Sequence, residues 1–130
     1  MCISFDFFSD LETASPHVKE STINSLGIAI KIGDTVIIGR DVNAYDIAQV
    51  DNIQHKLTID ELDETGRVNV KITYYQLDET RMLVPMKRYR KPWTDECQEN
   101  AIIMSLGSVT TIDKETQKEI QKKTKDVYAY

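Results

Sequence analysis

Cysteine is scarce in this chain. Cys2 and Cys97 are its only two, they lie far apart, and neither stands beside a second metal-ligand type at useful spacing. A disulfide framework and a zinc knuckle are thereby excluded, and the expectation is of two reduced thiols in an intracellular protein. Histidine is equally sparse: His17 and His55 fall in polar segments and read as solvated or locally satisfied rather than as ligands. Long hydrophobic runs are missing too. The longest, "TVIIG" and "AIIMSL", are far too short to span a bilayer, so no membrane partner is expected. "MCISFDFF" is broken by Ser4 and Asp6 and does not have the charged start, long apolar middle and small-residue exit of a signal peptide.

The five glycines are scattered among turns, with no Gly-Lys-Ser/Thr phosphate loop and no Gly-x-Gly-x-x-Gly after a strand. Cys97 in "TDECQEN" adjoins Asp95 and Glu96, whose charges disfavour the thiolate a nucleophile needs. No catalytic residue, metal or cofactor is therefore expected, and the chain reads as a binding module rather than an enzyme. Charge of one sign is not in large excess either: the net is −5, from 16 basic and 21 acidic residues. General attraction to nucleic acid is not expected of such a surface. Locally the picture differs. "KRYRK" sets Lys87, Arg88, Arg90 and Lys91 within five positions, and "DELDE" at 60–64 sets four acids within five. Direct contact with DNA is open only to the basic island, where arginines form charge-assisted hydrogen bonds to phosphate or carboxylate.

What is present is a β pattern. The 130 residues, 41% hydrophobic and 28% charged, suit one globular domain with a core of its own. "IAIKI" and "TVIIG" flank the turn dipeptide Gly33-Asp34, "AYDIAQVDNI" alternates with room for a bulge, and "NAIIMSL" is a further strand. In "VNVKITYYQLDET", Val68, Val70, Ile72 and Tyr74 share one face, opposed by Asn69, Lys71, Thr73 and Tyr75. "QHKLTIDELDETG" reads as a loop between paired strands. Ser15-Pro16 opens a possible short helix ending at Gly27, and "TTIDKETQKEIQKKT" is a second helix with Asp113 as its cap. "KDVYAY" reads as a closing strand, as in a domain cut from a longer protein. The aromatics outside a plain core pattern, Tyr45, Tyr75, Tyr89 and Trp93, are the residue types that mark recognition surfaces.

Taken in order, these blocks resemble the bromo-adjacent homology (BAH) domain. "IKIGDTVIIG" is similar to that family's opening "vGDyVlv", "AYDIAQVDNI" to "pYviarIeeI", "TYYQLDET" to "WYYRPEET", "NAIIMSL" to "NElflS", and "TTID…EIQKKTKDVYAY" to "vpie.I.gKc.V". The resemblance covers residues 28–130 and leaves 1–27 as an N-terminal extension. It implies a mostly β fold, a distorted barrel with short peripheral helices, in a nuclear protein that docks on histone tails, nucleosomes or other chromatin proteins. The alternative is a scaffold domain inside a larger chromatin regulator, with no histone contact.

Where family members read methylated lysine, their aromatic cage falls on the positions of Tyr45, Thr73 and Tyr75, with Asp46 and Asp78 as nearby acids. Here the central tryptophan is replaced by Thr73, which removes a wall and much of the cation–π attraction. Trp93, from the variable loop, is the candidate replacement. Its position relative to Tyr45 and Tyr75 decides whether a cage exists.

Overall fold

The computed structural model describes residues 17–56 and 67–128. Among the described residues, eleven strands and one α-helix follow in order: β1 (His17–Val18), β2 (Ser21–Ile23), β3 (Ala29–Lys31), β4 (Thr35–Asp41), β5 (Ala44–Lys56), β6 (Arg67–Leu77), β7 (Leu83–Pro85), β8 (Lys87–Arg88), β9 (Lys91–Pro92), β10 (Thr94–Gln98), β11 (Ile102–Gly107) and α1 (Lys114–Tyr128). The main sheet is antiparallel in the order β10-β6-β5-β4-β11, with β1 extending the end of β5 and β7 the end of β6. Two small hairpins, β2-β3 and β8-β9, stand apart from it.

Period-two alternation gives this sheet two apolar faces. The inner face gathers Ile30, Val36, Ile38, Ala48, Val50, Ile53, Val70, Ile72, Tyr74 and Ile102. The outer face carries Ile37 and Ile103, covered by Ile112 and by Ile120 of α1. An uninterrupted run such as Val36-Ile37-Ile38 is thereby explained, because both sides of β4 are buried. In β5 the register passes from Val50↔Ile72 to Asn52↔Lys71. Asp51 is the extra residue of this bulge, so Val50 and Ile53 both reach the inner core despite lying three apart.

The expected barrel is not closed. No ladder joins β10 to β11 among the described residues, and the sheet has two edges. It is nevertheless strongly curled: the chain crosses from one edge to the other through a single 3-10 turn, Glu99–Ala101, and Cys97 of β10 packs on the same core as Ile102 of β11. Side chains replace the missing ladder. Buried Asn24 donates through Nδ2 to the carbonyls of Glu99 (2.9 Å) and Ile102 (2.8 Å) while its Oδ1 accepts from the Leu26 and Ile28 amides. Thr22 Oγ1 donates to Glu99 (2.7 Å), and the Ser25 amide to Asn100 (2.9 Å).

This seam also corrects the N-terminal expectation. In place of a helix ending at Gly27, β2 pairs with β3, and residues on both sides of position 28 form one hairpin fixed to the core. Asn24 turns the chain with its own side chain, which competes with helix formation. The Ser15-Pro16 cap and the 60–64 acidic run lie outside the described residues, as does most of the expected loop, but its first residues, Gln54–Lys56, are strand. Gly33 (φ +92°) does make the turn expected of it, yet the strands it joins are not partners: β3 pairs with β2, and β4 with β5 and β11.

Helix α1 is capped as its sequence indicated, with the Thr116 amide donating to Asp113 Oδ1 at 2.7 Å. It extends to Tyr128, so "KDVY" is helical and not a closing strand. Ile120, Thr124 and Val127, spaced by four and three, form the stripe that seats it on the outer face. Close seating requires Gly39, where a Cβ would lie 2.9 Å from Tyr128 Oη and 3.0 Å from Ile103 Cγ2.

Candidate functional site

Tyr74 anchors the most elaborate side-chain arrangement of the inner face. Its ring is 6% exposed, and its hydroxyl accepts from Arg40 Nη2 (2.7 Å) and donates to Asp95 Oδ2 (2.7 Å). Arg40 Nε in turn donates to Asp46 Oδ2 at 2.7 Å. One acid and one cation thus meet at the phenol, and a second acid holds the cation. Burial, and then the bond to the Asp95 carboxylate, push the Tyr74 hydroxyl up to about 12, so it stays protonated and keeps its direction. The same bond, with the Glu96 amide, holds Asp95 below the usual carboxylate range. The Trp93 ring meets Tyr74 edge-on, with centroids 5.1 Å apart and an interplanar angle of 66°.

The backbone of Tyr74 is equally engaged. β10 pairs with β6 up to Thr94↔Thr73, and β7 begins at Pro85↔Tyr75, so Tyr74 lies at the junction between two partners of one strand. There its amide donates to the Trp93 carbonyl (2.9 Å) and its carbonyl accepts from the Met86 amide (2.9 Å). The Trp93 amide closes the ring of bonds on Met86 at 2.8 Å. Everything between Met86 and Trp93 therefore leaves the sheet as a projecting hairpin, β8-β9, with a root held at three backbone bonds.

The hairpin turns through two residues, Tyr89 and Arg90, since Arg88 pairs with Lys91. Both have positive φ, 54° and 66°, the requirement of a type I′ turn that Asn-Gly or Asp-Gly ordinarily meets. Tyr89 at the tip is 86% exposed. The Arg88 guanidinium lies over both neighbouring rings, 5.5 Å from Trp93 and 5.6 Å from Tyr89. Lys87, Arg88, Arg90 and Lys91 are all exposed, and from Arg81 to Trp93 the sequence contains no acid. The basic island is a presented structure with a fixed root and a turn of high local energy.

Of the cage candidates, Tyr45, Thr73 and Tyr75 share the outer face and Trp93 does not. Tyr75 and Thr73 occupy the outer face, paired with Ile47 and Gln49. Thr73 is 9% exposed and its hydroxyl is engaged, donating to Asp51 Oδ2 at 2.6 Å. Tyr45 is also on the outer side, packed into the core that α1 covers, beside a cavity of about 250 Å³ lined by Val42, Asn43, Gln121, Thr124 and Lys125. Trp93 packs on the inner core with Tyr74, so the sheet separates it from Tyr75. The reason is local: bonding to Met86 and Tyr74 commits Trp93 to the inner side, and strand alternation sends Tyr75 to the other.

The two acids go elsewhere as well. Asp46 is paired with Arg40, and Asp78 closes a turn by accepting from the Thr80 amide and hydroxyl (both 2.8 Å) and the Met82 amide (2.9 Å), bonds that lower its pKa. Cys97 is raised to about 11, by burial first, ahead of the neighbouring charges invoked from sequence. Among the described residues no group of three His, Cys, Asp or Glu is arranged to hold a metal ion, and no helix is long and apolar enough to cross a membrane.

Arg40 and Asp95 were not singled out from the sequence. The one signal was alternation, which puts Asp46 on the inner side with Ala48 and Val50, but its side chain is 45% exposed, so burial does not demand a partner there. The two-residue turn at Tyr89-Arg90 had no such signal, because neither residue is a turn former. No protein-family model, curated protein or solved structure matches the chain.

Proposed function

We propose that this protein is a non-catalytic chromatin-docking module of the BAH type, whose contact with the nucleosome is made by the Lys87–Lys91 hairpin. The chromatin assignment is supported by the five sequence blocks in BAH order and by a curled, mostly β sheet with a peripheral helix. The docking assignment is carried by one observation: four exposed cations on a hairpin that projects from a rigid root. Lys87, Arg88, Arg90 and Lys91 meet DNA phosphates, and the counterions those phosphates release supply the affinity. The body, acidic in total, turns away from DNA and orients the module hairpin-first. Methyl-lysine recognition is not part of this reading, since Trp93, the candidate replacement wall, lies across the sheet from Tyr45 and Tyr75.

Such a module resides in the nucleus, beside other chromatin proteins. The test is a gel-shift titration of reconstituted mononucleosomes with wild type and with Lys87→Gln/Arg90→Gln/Lys91→Gln, which leaves Arg88 on Trp93. The expected result is a shift by wild type that the triple variant loses. Equal shifts by both proteins would refute the docking assignment.

A further inference from the structure

Phosphate binding accounts for the cations of the hairpin and leaves its tip unexplained. A basic hairpin needs no aromatic at the turn, and Tyr89 is unfavourable there twice over. Its left-handed backbone is one that Asn or Gly adopts at lower cost, and its ring is 86% exposed. The ring also has a neighbour: the Arg88 guanidinium lies within cation–π range of both centroids, 5.6 Å from Tyr89 and 5.5 Å from Trp93, and Trp93 is edge-on to Tyr74. Trp93, Arg88 and Tyr89 thus form a chain of cation–π contacts that begins at the core and ends in solvent. Its last member is an aromatic surface among Lys87, Arg90 and Lys91.

We propose that Tyr89 is a base-stacking residue and that the hairpin prefers nucleic acid with unpaired bases. The inference rests on the hairpin being the docking element and adds the chemistry of its tip. An unpaired base stacks on the exposed Tyr89 ring while its flanking phosphates lie against the lysines and Arg90. In an intact duplex the base faces are covered by their neighbours, so Tyr89 gains nothing there. Stacking tolerates any base, because every base has a π face, and no sequence preference follows. An acidic protein groove satisfies the cations equally well but offers no planar partner for the ring.

The experiment uses the full chain and two fluorescein-labelled probes, a 12-nucleotide oligothymidine and a 12-base-pair duplex, titrated by anisotropy at one low salt concentration. Tyr89→Ala and Tyr89→Phe share the backbone constraint of the parent residue, and emission from Trp93, the chain's only tryptophan, reports that the hairpin root is intact. Wild type is expected to bind the single strand more tightly than the duplex. Tyr89→Ala is expected to lose about tenfold on the single strand with the duplex unchanged, and Tyr89→Phe to retain the wild-type affinity. Equal affinity of Tyr89→Ala and wild type for the single strand overturns the inference. If in that case Lys87→Gln/Arg90→Gln/Lys91→Gln still loses both probes, electrostatic docking stands and stacking alone has failed. Nucleosome binding by wild type with no binding to either naked probe also overturns the inference and makes an acidic histone surface the partner.

Discussion

Tyr74 and Tyr75 are neighbours in sequence and face opposite sides of the sheet. Tyr74 lies with Val70 and Ile72 in the inner core, and Tyr75 lies outside, beside Ile47. That division was legible, because strand alternation depends only on the order of residues. The attachments of Tyr74 were not: they come from Arg40, Asp95 and Trp93 on other segments, and nothing in a period of two reports them. Tyr74→Phe keeps the ring and leaves Arg40 and Asp95 without their shared hydroxyl. It is expected to cost about 1–3 kcal/mol in urea denaturation at neutral pH. The hydroxyl also shapes the alkaline response. Its folded pKa, about 12, stands above the ordinary 10, so its contribution is complete below pH 10 and is lost as pH rises toward 12. Cys97 acts with the same sign between its ordinary 9.0 and about 11. Stability measured from pH 8 to 11.5 is expected to fall steadily in wild type and less steeply in Tyr74→Phe; parallel curves would contradict this assignment.

At the scale of the element, hairpin and helix show opposite relations between sequence and structure. Helix α1 carries its own instructions: Asp113 caps it, and Ile120, Thr124 and Val127 repeat at helical spacing. Only its end was misread, since Val127 and Tyr128 alone fit a strand as well as a helix. The bonds at Asp113 lower its pKa, so the cap stabilises above the ordinary carboxylate range and weakens as pH falls below it. Gly39→Ala is expected to displace the Tyr128 ring from the sheet, with a loss of about 1 kcal/mol by thermal melting, because the added methyl group meets the Tyr128 and Ile103 side chains. The hairpin, by contrast, forms against its turn residues. Tyr89→Asn/Arg90→Gly supplies the preferred I′ pair and is expected to raise stability by about 1–2 kcal/mol while weakening nucleosome binding. A gain in melting temperature without loss of binding would show that Tyr89 and Arg90 take no part in docking.

At the scale of the molecule, the strands around the inner core and the Gly33 turn could be read from the chain, but the closure could not. Whether a curled sheet joins its edges depends on pairings between distant segments, and here Asn24 and the turn at Glu99–Ala101 take the place of a ladder. The place of Trp93 was hidden for a related reason: family positions transfer one by one, and Tyr45, Thr73 and Tyr75 do share a face, whereas Trp93 comes from a loop whose path only the fold decides. Charge distribution was the most portable signal, since an exposed basic island on an acidic body needs no tertiary information. Docking on the nucleosome therefore depends on that island. Nucleosome affinity should be measured across a salt series for wild type and for Lys87→Gln/Arg90→Gln/Lys91→Gln. The account requires log K to fall linearly with log salt in wild type, and the slope to lessen by about 0.9 for each charge that contacts phosphate. An unchanged slope and affinity in the triple variant would contradict it.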